Sequence, residues 1–300
     1  MQSASEVSTG EPQFATLFPR EYFSKFLQSD CRPDGRALTD FRRVSVSAEN
    51  VLSTADGASL VKVGSTTAIC GIRLEVGPPV QGKMSIGVLN VNVTVPSLSS
   101  ARQAVSGYVG DRQSQSDERA AQNAALGAHI SELLLKNGIL PRESLCIIEG
   151  IAAWHVNLDV VIVNDDGNIR DASIFAALHA LASLRLPETA SPDGKEVFIV
   201  PNGPTRSLGL NARELPVPST FAILDSKLIA DPNAKEEAVA SNMCTVVFSN
   251  KGAIVGVLNP GGKPMPLKVY TEILEAAASR AGSWFRNIAN LTNGPVFVQK

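Results

Sequence analysis

A short glycine turn between two apolar runs is the feature that most restricts how this sequence can fold. The runs at 58–63 and 66–76 flank Gly64-Ser65, and a pair that begins with glycine suits a tight hairpin turn. In the second run apolar and polar residues alternate, which is typical of a strand with one buried face. The apolar set is Ala68, Cys70, Ile72, Leu74 and Val76, and the polar set is Thr67, Arg73 and Glu75. The stretch therefore predicts two antiparallel strands at the edge of a core.

Other segments repeat the same alternation or show helical spacing. Alternation at 88–95 and 154–163 predicts two more half-buried strands, and shorter apolar runs predict strands at 219–224, 243–249 and 253–258. Helical spacing of apolar residues predicts helices at 19–28, 116–136, 171–184 and 267–288. Strands followed by helices, twice along the chain, predict an α+β fold in which helices pack on mixed sheets.

Two of these helices carry start signals. Ser116 suits an N-cap, and Asp117 and Glu118 would follow it in the first turn, where negative charge is favourable. Asp171 suits the N-cap of the alanine-rich helix that follows the turn at 164–168.

Composition divides the chain into four parts. Residues 1–18 begin with a segment rich in Ser, Glu, Thr, Gly and Pro, and are predicted to form a disordered tail. Residues 19–186 form the first half, and prolines and glycines break the periodicity in a connecting passage at 187–218. Residues 219–300 form the second half.

Charge and cysteine content exclude several classes of protein. The 300 residues carry 27 Lys and Arg against 29 Asp and Glu, so that the chain lacks the basic excess of a self-sufficient nucleic-acid binder. The four cysteines are widely spaced, which predicts neither a zinc site nor disulfides and favours a reducing, intracellular compartment. No apolar run is long enough for a membrane span, and the first residues lack the pattern of a signal peptide.

The region around the hairpin also carries a family resemblance. It contains Arg32-Pro33-Asp34-Gly35-Arg36, then Asp56-Gly57 with Leu60-Val61-Lys62, then Gly64 and Thr66, and then Cys70-Gly71. This order of motifs resembles the RNase PH family. With the segment at 21–27 and Cys31, it is similar to the ring subunits of the eukaryotic RNA exosome. The resemblance extends over about 21–286 and implies the RNase PH fold, related to the second domain of ribosomal protein S5, with two structurally related halves.

The resemblance implies a reaction whose requirements can be compared with the residues. RNase PH enzymes cleave RNA by phosphorolysis, so that active members hold phosphate with cations and backbone donors at the start of the central helix. Here the matching segment 113–126 has Ala, Gln and Asn in place of the basic residues. Asp117 and Glu118 would repel an anion there, and Arg119 alone does not restore the cluster. The segment predicts a catalytically inactive member of the family.

Asp225 and Asp231 are the candidate carboxylates. They lie six residues apart, which resembles the acidic pair of active members, but a straight strand would separate them by roughly 20 Å. They would converge only if the chain bends, which Pro232 permits. The favoured interpretation is a turn aspartate and a loop aspartate, at most a vestigial catalytic pair.

Three basic residues are candidates for contact with RNA. Arg102 and Arg112 fall in the predicted loop before the central helix, where the resemblance implies arginines that face RNA, and Lys83 lies in another polar loop. Phosphate contacts of this kind give affinity without sequence preference. A solvated loop charge explains each residue equally well, and both interpretations stay open.

The histidines do not suggest a metal or a catalytic triad. His155 and Asp159 share the polar face of one predicted strand, and the sequence has no Gly-x-Ser-x-Gly elbow for a nucleophile. His129 and His179 have no second ligand at metal-binding spacing. No metal and no cofactor are expected.

Three functions are compatible with these observations. The resemblance implies a structural, inactive subunit in a hexameric ring of RNase PH-like chains. Proteins with S1 and KH domains would cap that ring, and single-stranded RNA would pass through its channel to a hydrolytic exoribonuclease. It further implies roles in 3′-to-5′ RNA processing and decay in the nucleus, nucleolus and cytoplasm. The alternatives are an active phosphate-dependent exoribonuclease using Asp225 and Asp231, and a stand-alone single-strand RNA-binding module.

Overall fold

A computed structural model describes residues 14–15, 17–47, 51–80, 82–96, 112–136, 138–193, 196–200, 203–211 and 214–291. Within these residues the expected combination of mixed sheets and helices is confirmed. In the same part of the chain, no helix is both long enough and apolar enough to cross a membrane.

The first half contains a mixed sheet of six strands. Its order is β1-β2-β3-β6-β4, with β5 also pairing with β6, and only the β4–β6 pair is parallel. The strands are β1 (Val44–Ser47), β2 (Gly57–Val63), β3 (Thr66–Gly77), β4 (Val88–Thr94), β5 (Cys146–Ile148) and β6 (Ala152–Asn164).

The predicted hairpin is formed by β2 and β3. Val63 pairs with Thr66 across the turn, where Gly64 has a φ of 58°, a left-handed conformation that favours glycine. The alternation in β3 buries Ala68, Cys70 and Ile72, but Val76 at the far end is exposed. The predicted apolar face of β3 is therefore buried in the core only along the first part of the strand.

The named helices are α1 (Pro19–Gln28), α2 (Arg112–Lys136), α3 (Ile169–Ser183), α4 (Ala234–Val239) and α5 (Leu267–Leu291), with a 3₁₀ turn at Arg142–Leu145. Of these, α2 and α3 pack on the first sheet, whereas α5 packs on the sheet of the second half. Alanines make α3 narrow enough to lie directly on β2 and β3, since a Cβ at Gly57 would be 3.0 Å from the Ala180 carbonyl oxygen. Small residues thus allow α3 to form the centre of the core.

The second half contains an antiparallel sheet of four strands. Its order is β12-β11-β13-β14. The strands are β11 (Pro216–Leu224), β12 (Lys227–Ala230), β13 (Asn242–Ser249) and β14 (Ile254–Leu258). Short strands precede it and pair β7 with β10 and β8 with β9: β7 (Arg185–Pro187), β8 (Thr189–Ala190), β9 (Phe198–Ile199) and β10 (Thr205–Ser207). The first strand of the second half therefore begins inside the passage assigned to 187–218.

Both predicted helix starts are wrong. Helix α2 begins at Arg112, so that Ser116 lies inside the helix. The N-cap of α3 is Asn168, which has a left-handed backbone and accepts a hydrogen bond from the Asp171 amide at 3.4 Å. Asparagine tolerates this conformation better than most residues. Asp171 is then the third residue of the helix, and its carboxylate binds elsewhere.

The predicted tail at 1–18 is only partly within the described residues. Phe14, Ala15 and Leu17 are helical, and the Phe14 ring contacts those of Phe18 and Tyr22. Residues 1–13 and 16 lie outside the described part of the chain.

A buried ion pair joins the two halves. The Arg280 guanidinium on α5 binds the Asp171 carboxylate at 2.6 Å and the Pro218 carbonyl at 2.8 Å. The other Asp171 oxygen accepts from the Thr220 hydroxyl at 2.7 Å. The guanidinium also lies 3.9 Å from the centre of the Phe41 ring. Because both charges are buried, each depends on the other for compensation.

Asp171→Ala is therefore expected to lower the free energy of unfolding by about 3–5 kcal/mol, since it leaves Arg280 buried without its counter-charge. Urea denaturation at neutral pH measures this change. Glu272→Ala is the matched control, because Glu272 pairs with Lys268 at 3.9 Å on the exposed face of α5 and should contribute less than about 1 kcal/mol. Similar unfolding midpoints for the two variants would contradict the assignment.

Candidate functional site

A cleft of about 440 Å³ lies where the two halves meet. Helix α2, the turn between β6 and α3, and the second half each contribute to its walls. Its lining residues are Val95, Pro96, Arg119, Gln122, Asn123, Ala125, Leu126, Asp165, Asn168, Ile169, Arg170, Thr220, Glu237, Met243, Leu258 and Pro260.

The charges in this cleft are balanced. Arg119 on α2 and Arg170 on α3 are opposed by Asp165 in the turn and Glu237 on α4. Two guanidiniums could attract an anion, but two carboxylates in the same small space cancel that attraction at short range. The cleft therefore combines amide and apolar walls with no net charge.

The turn between β6 and α3 connects this cleft to the second half. The Asn168 backbone N–H donates to Glu237 Oε1 at 2.7 Å, and the Asn168 side-chain amide donates to Asp231 Oδ1 at 2.6 Å. Gly167 has a φ of 81°, and a Cβ there would be 2.8 Å from the Pro232 carbonyl oxygen. Only glycine allows the turn and the start of α4 to approach this closely.

Asp231 is fully buried beneath the cleft wall and bound by two arginines. The Arg42 backbone N–H and Nε both donate to Asp231 Oδ2 at 2.8 Å, and Arg42 Nη2 donates to Oδ1 at 3.0 Å. Arg36 approaches Oδ2 at 3.3 Å. Burial would raise the pKa of Asp231, but hydrogen bonds and charge from Arg42, with the Asn168 amide, lower it to about 2. Asp231 is therefore an ionised structural group.

The motif that begins at Arg32 connects the segment before β1, residues 29–43 and here called the N-terminal segment, to the second half. Arg32 is only 2% exposed and binds the Glu236 carboxylate through Nε at 2.9 Å and Nη2 at 2.5 Å. Its Nη1 donates to the Ala230 carbonyl at 2.8 Å. Glu236 also accepts from the Asn233 backbone N–H at 2.8 Å and completes the capping box of α4. Arg32 thereby keeps α4 in its position. Glu237, the residue after Glu236 in this helix, lines the cleft.

The structure does not bring Asp225 and Asp231 together. Asp225 lies in the exposed two-residue turn before β12, and Asp231 follows the end of that strand. The Asp225 carboxylate accepts from the Ser24 hydroxyl and lies 3.6 Å from Arg20 on α1. Its partners are thus entirely different from those of Asp231. An acidic pair made of these two aspartates is not formed.

The prediction that Asp117 and Glu118 lie in the first turn of the central helix is wrong. Asp117 and Glu118 fall in the second turn of α2, because the helix begins at Arg112, and neither lines the cleft. Arg119 does line it. The carboxylates that oppose an anion in this cleft are instead Asp165 and Glu237.

The structure leaves the three RNA-binding candidates as predictions. Arg102 lies outside the described residues, and Arg112 is the first residue of α2 rather than a loop residue, with its side chain not described. Lys83 is exposed in the loop between β3 and β4.

The surroundings of His155 and His179 are those of structural residues. His155 binds the Pro78 carbonyl at 2.8 Å on the outer face of the first sheet. Burial lowers the pKa of His179 to about 4, so that it is neutral within α3. Among the described residues, no group of three or more His, Cys, Asp or Glu side chains is placed to hold a metal ion.

Sequence reasoning assigned Glu237, Asp165, Arg170 and Arg42 to no site. Each lies beside another charged residue, so that no local pattern distinguishes it, and Asp231 and Arg42 are 189 residues apart. One signal was available: Asn233 followed three residues later by Glu236 is a capping box, which predicts a helix starting at 234 and places Glu237 in its first turn.

The sequence of this chain matches the models of two protein-family domains. Domain 1 of the 3′ exoribonuclease family matches residues 40–187, and domain 2 matches residues 214–280. The chain therefore belongs to this family, whose models carry the name RNase PH, and the resemblance found in the sequence is confirmed.

Its relatives include components of the exosome. Exosome complex component Rrp42 of Methanosarcina mazei is 30% identical over 267 residues, covering 89% of this chain and 91% of the relative. Exosome complex component rrp43 of Schizosaccharomyces pombe is 26% identical, covering 89% and 94%. A solved structure described as the Archaeoglobus fulgidus exosome with RNA bound to the active site matches with a TM-score of 0.72. It shares 26% identity and covers 92% of this chain and 99% of that one.

Stability in acid should depend on Asp231. Its carboxylate has a lower pKa in the folded chain than in the unfolded chain, where it is near 3.8. Its contribution is therefore present above pH 4 and lost as the pH falls through about 2. The gap in unfolding free energy between the wild type and Asp231→Asn should narrow by about 2 kcal/mol from pH 6 to pH 2.

Asp225→Asn is the matched control, since both aspartates have a left-handed backbone, with φ values of 49° and 47°. It should change the unfolding free energy at pH 6 by less than about 1 kcal/mol, because Asp225 is exposed. Urea titrations at several pH values measure both effects. A gap for Asp231→Asn that does not change with pH would refute the buried ionised carboxylate.

Proposed function

We propose that this chain is a ring subunit of an RNA exosome, of the type represented by the relatives named Rrp42 and rrp43. The support is the similarity over nearly the full length of both the chain and these relatives. The match to 97% of a chain described as an archaeal exosome core, with a TM-score of 0.70, adds to it. The role is structural, within a hexameric ring of related RNase PH-like chains.

We further propose that the subunit does not cleave RNA. One observation carries this proposal: both oxygens of Asp231 are already occupied by Arg42 and Asn168. A carboxylate held in this way is not available to a metal ion or a proton transfer. The balance of Arg119 and Arg170 against Asp165 and Glu237 also disfavours retention of inorganic phosphate beside RNA.

RNA contact would be local and shared with other chains. A chain with 27 basic and 29 acidic residues has no general attraction for phosphate, which argues against a stand-alone RNA-binding module. In the proposed assembly, S1 and KH domain proteins cap the ring. RNA passes through the channel to a separate hydrolytic exoribonuclease, in the nucleus, nucleolus and cytoplasm. Arg102, Arg112 and Lys83 remain the candidates for contact with that RNA.

An active phosphorolytic enzyme is the second candidate function. The cleft is the place where it would act, because guanidinium and carboxylate groups lie together there at the junction of the two halves, although their balance of charge opposes phosphate binding. Such an enzyme would use Glu237 and Asp165, which line the cleft, rather than Asp225 and Asp231.

Affinity capture of the tagged full-length chain at physiological salt tests the ring. Related RNase PH-like chains should be recovered in amounts close to one copy each, identified and quantified by mass spectrometry of their peptides. The tag alone is the control. Recovery of the chain without any related chain would refute the proposed assembly.

Incubation of the purified chain with single-stranded RNA, phosphate and Mg²⁺ tests catalysis. We expect no nucleoside diphosphate above background, measured by chromatography. Glu237→Gln is the informative variant, because the amide oxygen can still accept from the Asn168 N–H while the charge is removed. Diphosphate release by the wild type that Glu237→Gln abolishes, but Asp225→Asn does not, would establish the enzyme instead.

A further inference from the structure

The second sheet ends in a strand whose outer edge is open within the described part of the chain. Strand β14 pairs with β13 on one side and with no described strand on the other. Its five residues, Ile254-Val255-Gly256-Val257-Leu258, contain no charge and no proline. Ile254 and Val257 are each 51% exposed, although both are large apolar side chains.

The other end strands of the two larger sheets are protected. Strand β12 begins with Lys227, and its Ala230 N–H is taken by the Leu38 carbonyl at 2.7 Å, so that the N-terminal segment covers that edge. Strand β1 has only four residues, of which Ser45 and Ser47 are polar. Strand β4 carries the exposed amides of Asn90 and Asn92. Only β14, among these four, consists entirely of apolar residues and glycine, and two of its large apolar side chains are half exposed.

Strand β14 is also held rigidly in place. Four residue pairs join it to β13, with an irregularity that leaves Val255 out of the register. Gly256 lies directly over α2, since a Cβ there would be 3.0 Å from Leu133 Cδ2. A preformed edge loses little conformational freedom when another strand binds. Soluble proteins usually protect such edges with charge, proline or a covering segment, because an open apolar edge pairs readily with other chains.

We propose that the outer edge of β14 binds an edge strand of a neighbouring RNase PH-like chain, so that a β-sheet continues across the contact. Backbone N–H and C=O groups supply the hydrogen bonds, and Ile254 and Val257 bury apolar area against the partner strand. The chemistry of the edge favours this occupant: it has no cation for RNA phosphates and no charge for an acidic or basic segment. The inference rests on the proposed ring, where different faces of neighbouring chains meet.

Val257→Lys tests the edge, and Val163→Lys is its matched control. Both replace an equally exposed valine, 51% in each case, but Val163 lies near the end of β6 in the first sheet and not on an end strand of the second sheet. A lysine on β14 should repel an incoming apolar strand. In affinity capture from cells, Val257→Lys should recover at least tenfold less of one related chain, while Val163→Lys recovers it as the wild type does. Circular dichroism and thermal melting should show both variants folded.

Amide hydrogen exchange gives an independent measurement. Residues 254–258 should exchange more slowly in the captured assembly than in the isolated chain. Equal recovery with Val257→Lys and Val163→Lys, or unchanged exchange at 254–258, would overturn the edge assignment and leave the ring intact. A wild type that captures no related chain would overturn the ring and the edge together. If light scattering shows that the pure chain dimerises and Val257→Lys abolishes the dimer, the occupant is a second copy, which also overturns the proposal.

Discussion

The buried carboxylate of Asp231 is the contact on which the arrangement of the two halves depends. Three separate parts of the chain meet at it: Arg36 and Arg42 from the N-terminal segment, Asn168 from the first half, and β12 of the second half. An ionised group inside a protein is tolerated only when charge and hydrogen bonds compensate it. Because those partners come from distant segments, the cost of burying the charge is offset only when all of them assemble.

The surrounding contacts reinforce the same junction. Arg32 binds Glu236 and secures α4, while Arg280 binds Asp171 and secures α5 against α3. Both pairs are buried, so that removing one partner leaves an uncompensated charge. The motif of two arginines at Arg32 and Arg36 thus has a structural explanation in this chain, because its charges connect the N-terminal segment to the second half.

The structural role of these buried charges also affects what the cleft can bind. The same cleft region that could hold an anion is built from residues with structural partners, such as Asn168 and Glu237. A ring subunit needs a stable junction of its halves and surfaces for its neighbours, and it can serve without a phosphate site. The proposed contact through β14 is consistent with the proposed role, because an isolated chain gains nothing from an exposed apolar strand.

Much of the fold follows from local pattern. The hairpin turn at Gly64-Ser65 and the alternation along β6 were predicted correctly, because side-chain direction in a strand repeats every two residues. Helix starts were predicted less well. Ser116 and Asp171 both satisfy the sequence rule for an N-cap, but Asp171 is placed by its bond to Arg280, which no local rule contains.

The sequence by itself determined the fold class, the family and the absence of a basic excess, since periodicity, motifs and composition are properties of neighbouring residues or of the whole chain. Only the tertiary structure decided which charges meet. The spacing of Asp225 and Asp231 resembles an acidic pair, although the favoured interpretation was a turn aspartate and a loop aspartate. In the structure one is exposed in a turn and the other binds Arg42, 189 residues away. The physical reason is that ion pairs depend on distance in space, and folding brings together side chains whose separation along the chain carries no signal.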